Sequence, residues 1–400
     1  MRFLCTCIPA HGHLHAIMPY ALALQQAGHQ VAIATGSGLG PAVRAAGLVH
    51  FPCGIPDASQ AHHLTQLPEW PALCAQFAGA PPSLVQVHAF IQVLAPRMAS
   101  ELQAAMAAWR PQVVLRDPLE FAGWLAAEQA GLPHATVDWG IHIPTHQIAQ
   151  AALVALGARF GLADPVRAAQ TLDHYLVLGA MPPPWPYPEL PAPQVFQRYA
   201  VPPFDHSGRP ELPGWLASRP DRPMVYATLG TTFNHAPATF AIILAALSQE
   251  PVEAVVTVGR DQDPGALGPV PESVHVERYV PQSLLLPHCA AVLCHGGFNS
   301  MHAALWHGLP LVLAPMGGGD QVPNAMQAVA QGVGIRLEAP LEVASMRAAI
   351  RRVLVDAPLR ARAQALGAAM RALPPLAEAV RQLEALAGTW GRAEAVLQAR

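Results

Sequence analysis

The sequence predicts an α/β protein built from two Rossmann-like domains, each containing a parallel β-sheet. Short apolar runs typical of buried strands alternate with helical patterns along most of the chain. A proline-rich stretch at 181–215 separates this alternation into two halves. The chain has 400 residues, of which 52% are hydrophobic and 12% charged, so it is long and apolar enough for two cores.

The first half begins with a strand, a turn and a helix. The strand is "RFLCTCIPA", the turn is "HGHLH", and the helix is "AIMPYALALQQAG", which we expect to end at Gly28. The strand "HQVAIATG" follows, and this order is that of a βαβ unit. Because the pattern recurs in "PQVVLRD", "FAGWLAAEQAG" and "PHATVDWG", the first half is expected to form a parallel sheet with helices.

The second half repeats this organisation. Its five candidate strands are "PMVYATLG", "VEAVVTVG", "SVHVERYV", "AAVLCHGG" and "LPLVLAP". Helices such as "PATFAIILAALSQ" and "NSMHAALWHG" lie between them, and a helical tail begins near Val343. Since ligands of α/β folds bind at the carboxyl ends of the strands, we expect the functional site in a cleft that these ends of both sheets face.

We interpret 181–215 as a stiff linker that is too rich in proline for regular elements. The predicted domains are therefore an N-terminal domain at 1–205 and a C-terminal domain at 206–380. A final helix at 381–400 is expected to pack back on the N-terminal domain.

Composition excludes several classes of protein. The net charge is -3 and no run of basic residues is present, so nothing indicates binding to nucleic acid. The six cysteines form no CxxC pair and are interpreted as reduced core residues. No apolar run approaches the roughly 20 residues that span a bilayer, and the first residues are interpreted as a strand, so we expect a cytoplasmic protein without stable membrane insertion. No GxGxxG follows the first strand, which argues against a nicotinamide enzyme.

The stretch from Cys294 to Ala325 combines a strand end, a glycine turn and the start of a helix. Backbone N–H groups at a helix start form an anion site, and a glycine turn lets an anion approach the backbone closely. A diphosphate is the expected anion. The polar and glycine residues of this site are His295, Gly296, Gly297, Asn299 and Ser300. An ordinary helix cap after a glycine turn is the alternative interpretation.

A second polar pair follows the next predicted strand. Asp320 and Gln321 come after "LPLVLAP" and are expected on a loop at the same end of the sheet. A carboxylate beside an amide provides both acceptors and donors, which suits the hydroxyl groups of a sugar.

The region "YVPQSLLLPHCAAVLCHGGFNSMHAALWHGLPLVLAPMGGGDQVPNA" resembles the signature of the inverting UDP/dTDP-dependent glycosyltransferases with the GT-B fold. The resemblance covers nearly the whole chain. It implies two facing Rossmann-like domains and a nucleotide-sugar donor, with no further cofactor. The residues that it implies are Tyr279, Val280 and Gln282 at the nucleobase, Thr231, His295, Gly297, Asn299 and Ser300 at the phosphates, and Asp320 and Gln321 at the sugar.

Two positions depart from the family pattern. Ala303 stands where many UDP-sugar enzymes have a glutamate that binds both ribose hydroxyls. Because deoxyribose lacks the 2′-hydroxyl, this change favours a dTDP-sugar over a UDP-sugar as donor. Tyr279 stands where the family often has tryptophan, and it keeps an aromatic surface for stacking on the base.

The turn after the first strand carries His11, His13 and His15. Three histidines at alternating positions are compatible with a metal site, but no acidic or cysteine partner accompanies them. A general base is the other interpretation, because histidine has a suitable pKa and Asp117, at the end of a neighbouring strand, could orient it. The resemblance implies that His13 is the base and Asp117 its partner, with His11 and His15 solvated or lining the pocket.

The implied reaction is a single displacement that inverts the anomeric carbon and needs no metal. Apolar residues of the first half indicate a lipophilic acceptor such as a polyketide, macrolide or phenolic, although each could equally be ordinary core. These residues are Trp70, Phe77, Phe90, Trp139 and Ile141. The alternatives are a non-catalytic nucleotide-sugar-binding helper and a cell-wall glycosyltransferase with a lipid-linked acceptor. A homodimer is compatible with the sequence.

Overall fold

The computed structural model describes most of the chain. The described residues are 1–57, 66–80, 82–140, 144–183, 185, 195–205, 211–218, 220–231, 234–259, 262–317 and 319–398. Contacts divide the chain into two compact units: unit 1 comprises Met1–Val201 and Leu373–Arg400, and unit 2 comprises Pro202–Ala372. The segment 373–380 therefore belongs with unit 1.

Unit 1 contains a parallel sheet. In the described part of the chain it has seven strands in the order β3-β2-β1-β4-β5-β6-β7. They are β1 (Arg2–Thr6), β2 (Gln30–Thr35), β3 (Val49–Pro52), β4 (Val113–Arg116), β5 (His134–Val137), β6 (Leu176–Gly179) and β7 (Phe196–Arg198). The predicted strands β1, β2, β4 and β5 are confirmed, and they form the centre of the sheet because their apolar side chains are buried on both faces.

The prediction that 181–215 contains no regular element was wrong. Phe196–Arg198 forms β7, which pairs in parallel with β6, and a 3₁₀ helix spans Gly214–Ser218. The prolines of this stretch lie beside β7 and not within it, so the strand keeps its backbone donors. Residues 186–194 lie outside the described residues.

Unit 1 has ten described helices. They are α1 (His11–Gln26), α2 (Gly40–Ala45), α3 (Trp70–Gln76), α4 (Pro82–Ala89), α5 (Ala95–Trp109), α6 (Ala122–Ala130), α7 (Thr145–Ile148), α8 (Gln150–Arg159), α9 (Pro165–Gln170) and, at the end of the chain, a helix over Leu376–Gln398. A π-helical turn, Phe90–Leu94, joins α4 to α5.

The predicted turn "HGHLH" is helical instead. Helix α1 begins at His11, and the N–H groups of His13 and Leu14 both donate to the carbonyl of Ala10. The alternating histidines suggested a turn or an extended segment. Gly12 is nevertheless part of the helix, which continues through the apolar residues that follow.

Unit 2 contains a second parallel sheet, with the described strand order β10-β9-β8-β11-β12-β13. Its strands are β8 (Met224–Thr228), β9 (Glu253–Thr257), β10 (Val274–Glu277), β11 (Ala291–Cys294), β12 (Leu311–Leu313) and β13 (Gly334–Arg336). All five predicted strands are confirmed. Strand β13 was not predicted, because three residues at the sheet edge leave too short a pattern.

Unit 2 contains six described α-helices. They are α10 (Pro237–Leu247), α11 (Gln282–Leu285), α12 (Phe298–Trp306), α13 (Gln321–Ala330), α14 (Val343–Val355) and α15 (Ala357–Arg371). The helix over Leu376–Gln398 is numbered α16. The prediction of a helical tail from Val343 is confirmed.

Helix α16 packs on unit 1. Its residues Val380 and Leu383 are buried, and Glu384 accepts a hydrogen bond from Nε2 of His29 at 2.8 Å. Just before the helix, the carbonyl of Pro374 accepts the N–H of Ala200 at 2.8 Å.

All six cysteines are thiols, and none forms a disulfide in the described structure. Four are buried as predicted, whereas Cys74 is exposed and Cys289 is half-buried. Cys74 lies in the short helix α3, where the apolar pattern was interpreted as core. Among the described residues, no helix is long and apolar enough to cross a membrane.

Candidate active site

His13 and Asp117 lie together at the carboxyl end of the unit 1 sheet. Nδ1 of His13 is 3.1 Å from Oδ2 of Asp117. The contact forms because β1 and β4 are neighbours in parallel, so the first turn of α1 meets the residue that follows β4. The carboxylate is fully buried and the histidine side chain is 17% exposed, so substrate can reach only the histidine.

Backbone donors hold the Asp117 carboxylate in place. Oδ2 accepts the N–H of Ile8 at 2.7 Å, and Oδ1 accepts the N–H of Leu119 at 2.8 Å. The carboxylate accepts a third hydrogen bond from Nδ1–H of His13. Donation from Nδ1 leaves the lone pair of the neutral ring on Nε2, which is the arrangement that a general base needs.

Two of the predicted acceptor residues flank His13. The Trp139 ring packs edge-on against the imidazole with 4.3 Å between centroids, and the Phe90 ring lies 6.2 Å away. Phe90 begins the π-helical turn between α4 and α5. Trp70 and Phe77 pack on a small cluster around Leu73, and Trp70 also packs on the main core cluster that contains Phe90.

The predicted acceptor residue Ile141 lies outside the described residues. Phe90 and Trp139 thus lie beside His13, and the prediction that this set of residues binds an acceptor stays a prediction.

A second carboxyl, Glu120, lies close to Asp117 and was not predicted. Its oxygens accept the hydroxyl of Thr6 at 2.5 Å and the N–H groups of Ala122 and Gly123 at the start of α6. Burial and the nearby Asp117 charge raise the pKa of Glu120 to about 7. Glu120 is the last residue of "RDPLE", but nothing in the sequence indicated its contact with Thr6, which is more than 100 residues away.

In unit 2, the imidazole of His295 is packed between two glycines. A Cβ at Gly230 would lie 2.5 Å from Cε1 of His295, and a Cβ at Gly297 would clash with Nε2 of the same ring. Glycine is therefore required at both positions. Burial lowers the pKa of His295 to about 4, so the ring is neutral near pH 7.

The other predicted phosphate residues lie at the same edge of the sheet. Thr231 is exposed and follows β8, beside Gly230. Asn299 and Ser300 are in the first turn of α12, half-buried and buried respectively. Since β8 and β11 are adjacent strands, Thr231 and His295 follow neighbouring strand ends.

Asp320 connects to the start of α12. Its Oδ2 accepts the N–H of Phe298 at 2.9 Å and Nδ2 of Asn324 at 3.1 Å. Asn324, which is fully buried, also donates to the carbonyl of Gly296 at 2.9 Å. The sequence analysis missed Asn324, although its place four residues after Asp320, one helical turn on, was a usable signal.

The prediction that Gln321 lies on a loop was wrong. It is the first residue of α13, it is 1% exposed, and its Oε1 accepts the N–H of Met316 at 2.6 Å. The glycines before it suggested a longer loop, but the helix begins immediately after Asp320.

The predicted nucleobase segment follows the edge strand β10. Val280 is 1% exposed, so its side chain belongs to the core and only its backbone can contact a base. Gln282 begins α11 and donates to the hydroxyl of Tyr226 at 3.1 Å. Tyr279 follows the edge strand β10, whereas His295 follows β11, which lies three strands away in the sheet.

Asp205 forms three hydrogen bonds with the predicted nucleobase segment. Its carbonyl accepts the Tyr279 hydroxyl at 2.6 Å, and its carboxylate accepts N–H and Oγ–H of Ser283 at 2.5 and 3.0 Å. The carboxylate thus acts as a cap for the short helix α11. The sequence analysis did not identify Asp205, which is 74 residues away from Tyr279.

Ala303 is in the middle of α12 and is 2% exposed. Its methyl group cannot bond to a ribose hydroxyl.

Near the three N-terminal histidines, the rings of His11 and His15 are 6.0 Å apart. Within the described ranges, no group of three or more His, Cys, Asp or Glu residues is arranged to hold a metal ion.

The two parallel sheets and the polar groups at their carboxyl ends define a glycosyltransferase of the GT-B class. Family models agree: residues 22–230 match the N-terminal domain, and residues 241–386 the C-terminal domain, of the erythromycin biosynthesis protein CIII-like family. The chain belongs to this family.

Individual relatives support the same assignment. The chain is 32% identical to tylactone mycaminosyltransferase from Streptomyces fradiae, over 96% of this chain and 92% of that protein. Its structure is similar to that of the glycosyltransferase VinC in complex with dTDP, with a TM-score of 0.78, 28% identity, and coverage of 97% and 100%. It is also similar to the spinosyn rhamnosyltransferase SpnG complexed with spinosyn aglycone, with a TM-score of 0.79, 25% identity, and coverage of 96% and 100%.

Proposed function

We propose that this glycosyltransferase moves a sugar from a dTDP-sugar to a hydroxyl group of a polyketide, with inversion at the anomeric carbon and without a divalent metal. The observation that carries the proposal is the hydrogen bond between His13 and the buried carboxylate of Asp117. A helper protein that only binds nucleotide-sugar has no need of an oriented base.

In the proposed reaction, Nε2 of His13 takes the proton of the acceptor hydroxyl. The oxygen attacks the anomeric carbon from the face opposite the diphosphate, the new C–O bond forms, and the bond to the diphosphate breaks with its electron pair. Asp117 stabilises the imidazolium that forms and keeps the ring in the required tautomer. One displacement of this kind inverts the anomeric centre.

The groups of unit 2 are proposed to stabilise the leaving diphosphate. Its negative charge is expected at the N-terminus of α12, where His295 donates a hydrogen bond and Thr231, Asn299 and Ser300 add polar contacts. These groups provide the stabilisation that a divalent cation provides in other transferases. Asp320 and Gln321 are proposed to contact the sugar hydroxyls.

The donor is proposed to carry thymidine. The buried methyl group of Ala303 offers no hydrogen bond to a 2′-hydroxyl, so a deoxyribose loses nothing at this position. The similar enzyme VinC was solved with dTDP bound, which supports the same choice.

The acceptor is proposed to be a polyketide such as a macrolactone. The aromatic rings of Trp139 and Phe90 beside His13 provide an apolar surface next to the attacking hydroxyl. The names of the relatives, which include a tylactone transferase and a spinosyn aglycone complex, support this class.

The test is to incubate the protein with tylactone and α-configured dTDP-sugars, dTDP-mycaminose first, in the presence of EDTA. The expected product is a β-glycoside, identified by the anomeric proton coupling. An α-glycoside, or activity that disappears with EDTA, would contradict the mechanism. Binding of dTDP without transfer to any macrolactone tried would favour a non-catalytic helper.

Variants test the roles of the two residues. His13→Ala and Asp117→Asn are expected to lower kcat by roughly 10³-fold or more while dTDP affinity stays within twofold. His15→Ala, in the same helical turn, is the matched control and should keep most of the activity. A His13→Ala variant with full turnover would contradict the assignment of the base.

A further inference from the structure

Arg116 is the last residue of β4 and stands immediately before Asp117. Its side chain is 0% exposed, in a strand whose other three residues carry buried apolar side chains. Burying a guanidinium is costly unless its donors are bonded to nearby acceptors. A buried arginine at the end of a strand therefore needs a physical reason.

The guanidinium donates hydrogen bonds to the backbone carbonyls of the loop that carries Asp117. One terminal nitrogen of Arg116 donates to the carbonyls of Asp117, Pro118 and Glu120 at 3.2, 3.3 and 3.4 Å. Three carbonyls of the loop between β4 and α6 thus point toward one buried positive charge. Lysine could not match this arrangement, because its ammonium group lacks the planar set of donors.

The second terminal nitrogen connects this loop to another part of unit 1. It donates to the carbonyl of Leu172 at 2.8 Å and to Oδ1 of Asp173 at 3.2 Å. The Asp173 carboxylate is 7% exposed and also accepts the Thr136 hydroxyl on β5 at 3.1 Å. Asp173 is therefore the counter-charge that fixes the guanidinium.

One peptide group transmits this arrangement to the carboxylate of Asp117. The carbonyl of Pro118 accepts from Arg116, and the N–H of Leu119, on the same peptide unit, donates to Oδ1 of Asp117 at 2.8 Å. Because a trans peptide is planar and its C=O and N–H point in opposite directions, holding the carbonyl also aims the N–H. The bond from Arg116 polarises the same group and strengthens its donation.

We infer that Arg116, held by Asp173, is a positioning residue for Asp117, and through it for the imidazole of His13. This inference rests on the proposed function, in which Asp117 orients the base. Without Arg116 the peptide between Pro118 and Leu119 is free to rotate, and the carboxylate loses one of its two backbone donors.

The test is a double-mutant cycle on the full chain. Arg116→Lys and Asp173→Asn are each made in the wild type and in the Asp117→Asn background, and turnover of tylactone with a dTDP-sugar is measured. In the wild type each change is expected to lower kcat by roughly 10- to 100-fold, since small displacements of a catalytic group have effects of this size. The KM of the donor and the Kd of dTDP should stay within twofold.

In the Asp117→Asn background the same changes should have little further effect on kcat, because the residue through which they act is already neutral. Arg2→Lys is the matched control: Arg2 also donates to a backbone carbonyl in unit 1, that of Arg110, but at the opposite end of the sheet. It should leave kcat unchanged in both backgrounds.

Equal losses of kcat in both backgrounds would overturn the inference and show a general structural role. If Arg116→Lys does not fold, Asp173→Asn carries the test, because it keeps the side-chain volume and removes only the counter-charge that holds the guanidinium against the loop carbonyls. An Asp117→Asn enzyme with full activity would overturn both the proposed dyad and this inference. A reduced Asp117→Asn activity with additive losses would overturn this inference alone.

Discussion

The imidazole of His295 fills the space that a side chain at Gly230 would occupy. Gly230 follows β8, His295 follows the adjacent strand β11, and a Cβ on the glycine would lie 2.5 Å from Cε1 of the ring. The position of the histidine, at the proposed diphosphate site, is therefore set by the absence of a side chain on the neighbouring strand end.

Gly230→Ala is expected to displace the imidazole and weaken binding of dTDP by roughly tenfold, the equivalent of about one lost hydrogen bond to a charged group. Titration calorimetry with dTDP measures the effect, and His295→Ala should reduce affinity to a similar degree. Gly268→Ala is the matched control. Gly230 and Gly268 have positive φ of 75° and 78°, but no atom lies within 4 Å of a Cβ at Gly268. Loss of affinity in both alanine variants would contradict the role of the His295 contact.

The buried Ala303 predicts the choice of nucleotide. Calorimetry without acceptor should show tighter binding of dTDP than of UDP. Ala303→Glu should shift the preference toward UDP, because a carboxylate at this position could accept hydrogen bonds from both ribose hydroxyls. A circular dichroism melt checks that the buried carboxylate has not unfolded the protein. Wild-type preference for UDP would contradict the dTDP assignment.

Asp205 is predicted to position the nucleobase segment. Asp205→Ala removes the carboxylate that accepts Ser283 N–H and Oγ–H, so α11 loses its anchor, whereas the backbone carbonyl that accepts the Tyr279 hydroxyl remains. We expect several-fold weaker binding of dTDP, while the affinity for inorganic diphosphate, which has no base, stays unchanged. Asp221→Ala is the control, since Asp221 is an exposed residue of the same unit. Equal losses for dTDP and diphosphate would mean that Asp205 acts on the whole unit.

His302 is predicted to make stability depend on pH. Burial in α12 lowers its pKa from 6.5 to about 4, so the unfolded chain binds a proton that the folded chain does not between these values. The free energy of unfolding should therefore fall as the pH decreases from about 6.5 to 4, by roughly 3 kcal/mol for this residue.

The measurement is the thermal midpoint of wild type and His302→Gln between pH 7 and pH 4.5. The variant should lose less stability over this range, with the exposed His288→Gln as control. The buried His295 contributes in the same direction and remains in both variants. Identical pH dependence of wild type and His302→Gln would contradict the prediction.

The sequence pattern predicted the central strands of both sheets because long buried apolar runs have few other interpretations. It missed β3, β7 and β13, which contain three or four residues and have partly exposed positions, and it also missed β6, whose four residues are all buried. The pairing of His13 with Asp117 was predicted from a rule of topology, since both follow strands of one parallel sheet. The helical start of α1 at His11 was not predicted, because the alternating histidines were interpreted as a turn.

The amino-acid sequence by itself determined the α/β class, the separation into two halves and the identity of the polar residues at the strand ends. Only the tertiary structure decided which groups hold those residues in place: Arg116 and Asp173 behind Asp117, Asp205 beside Tyr279, and Asn324 behind Asp320. The physical reason is that strand patterns depend on neighbours along the chain. A buried hydrogen bond, in contrast, depends on which backbone and side-chain atoms packing brings within about 3 Å.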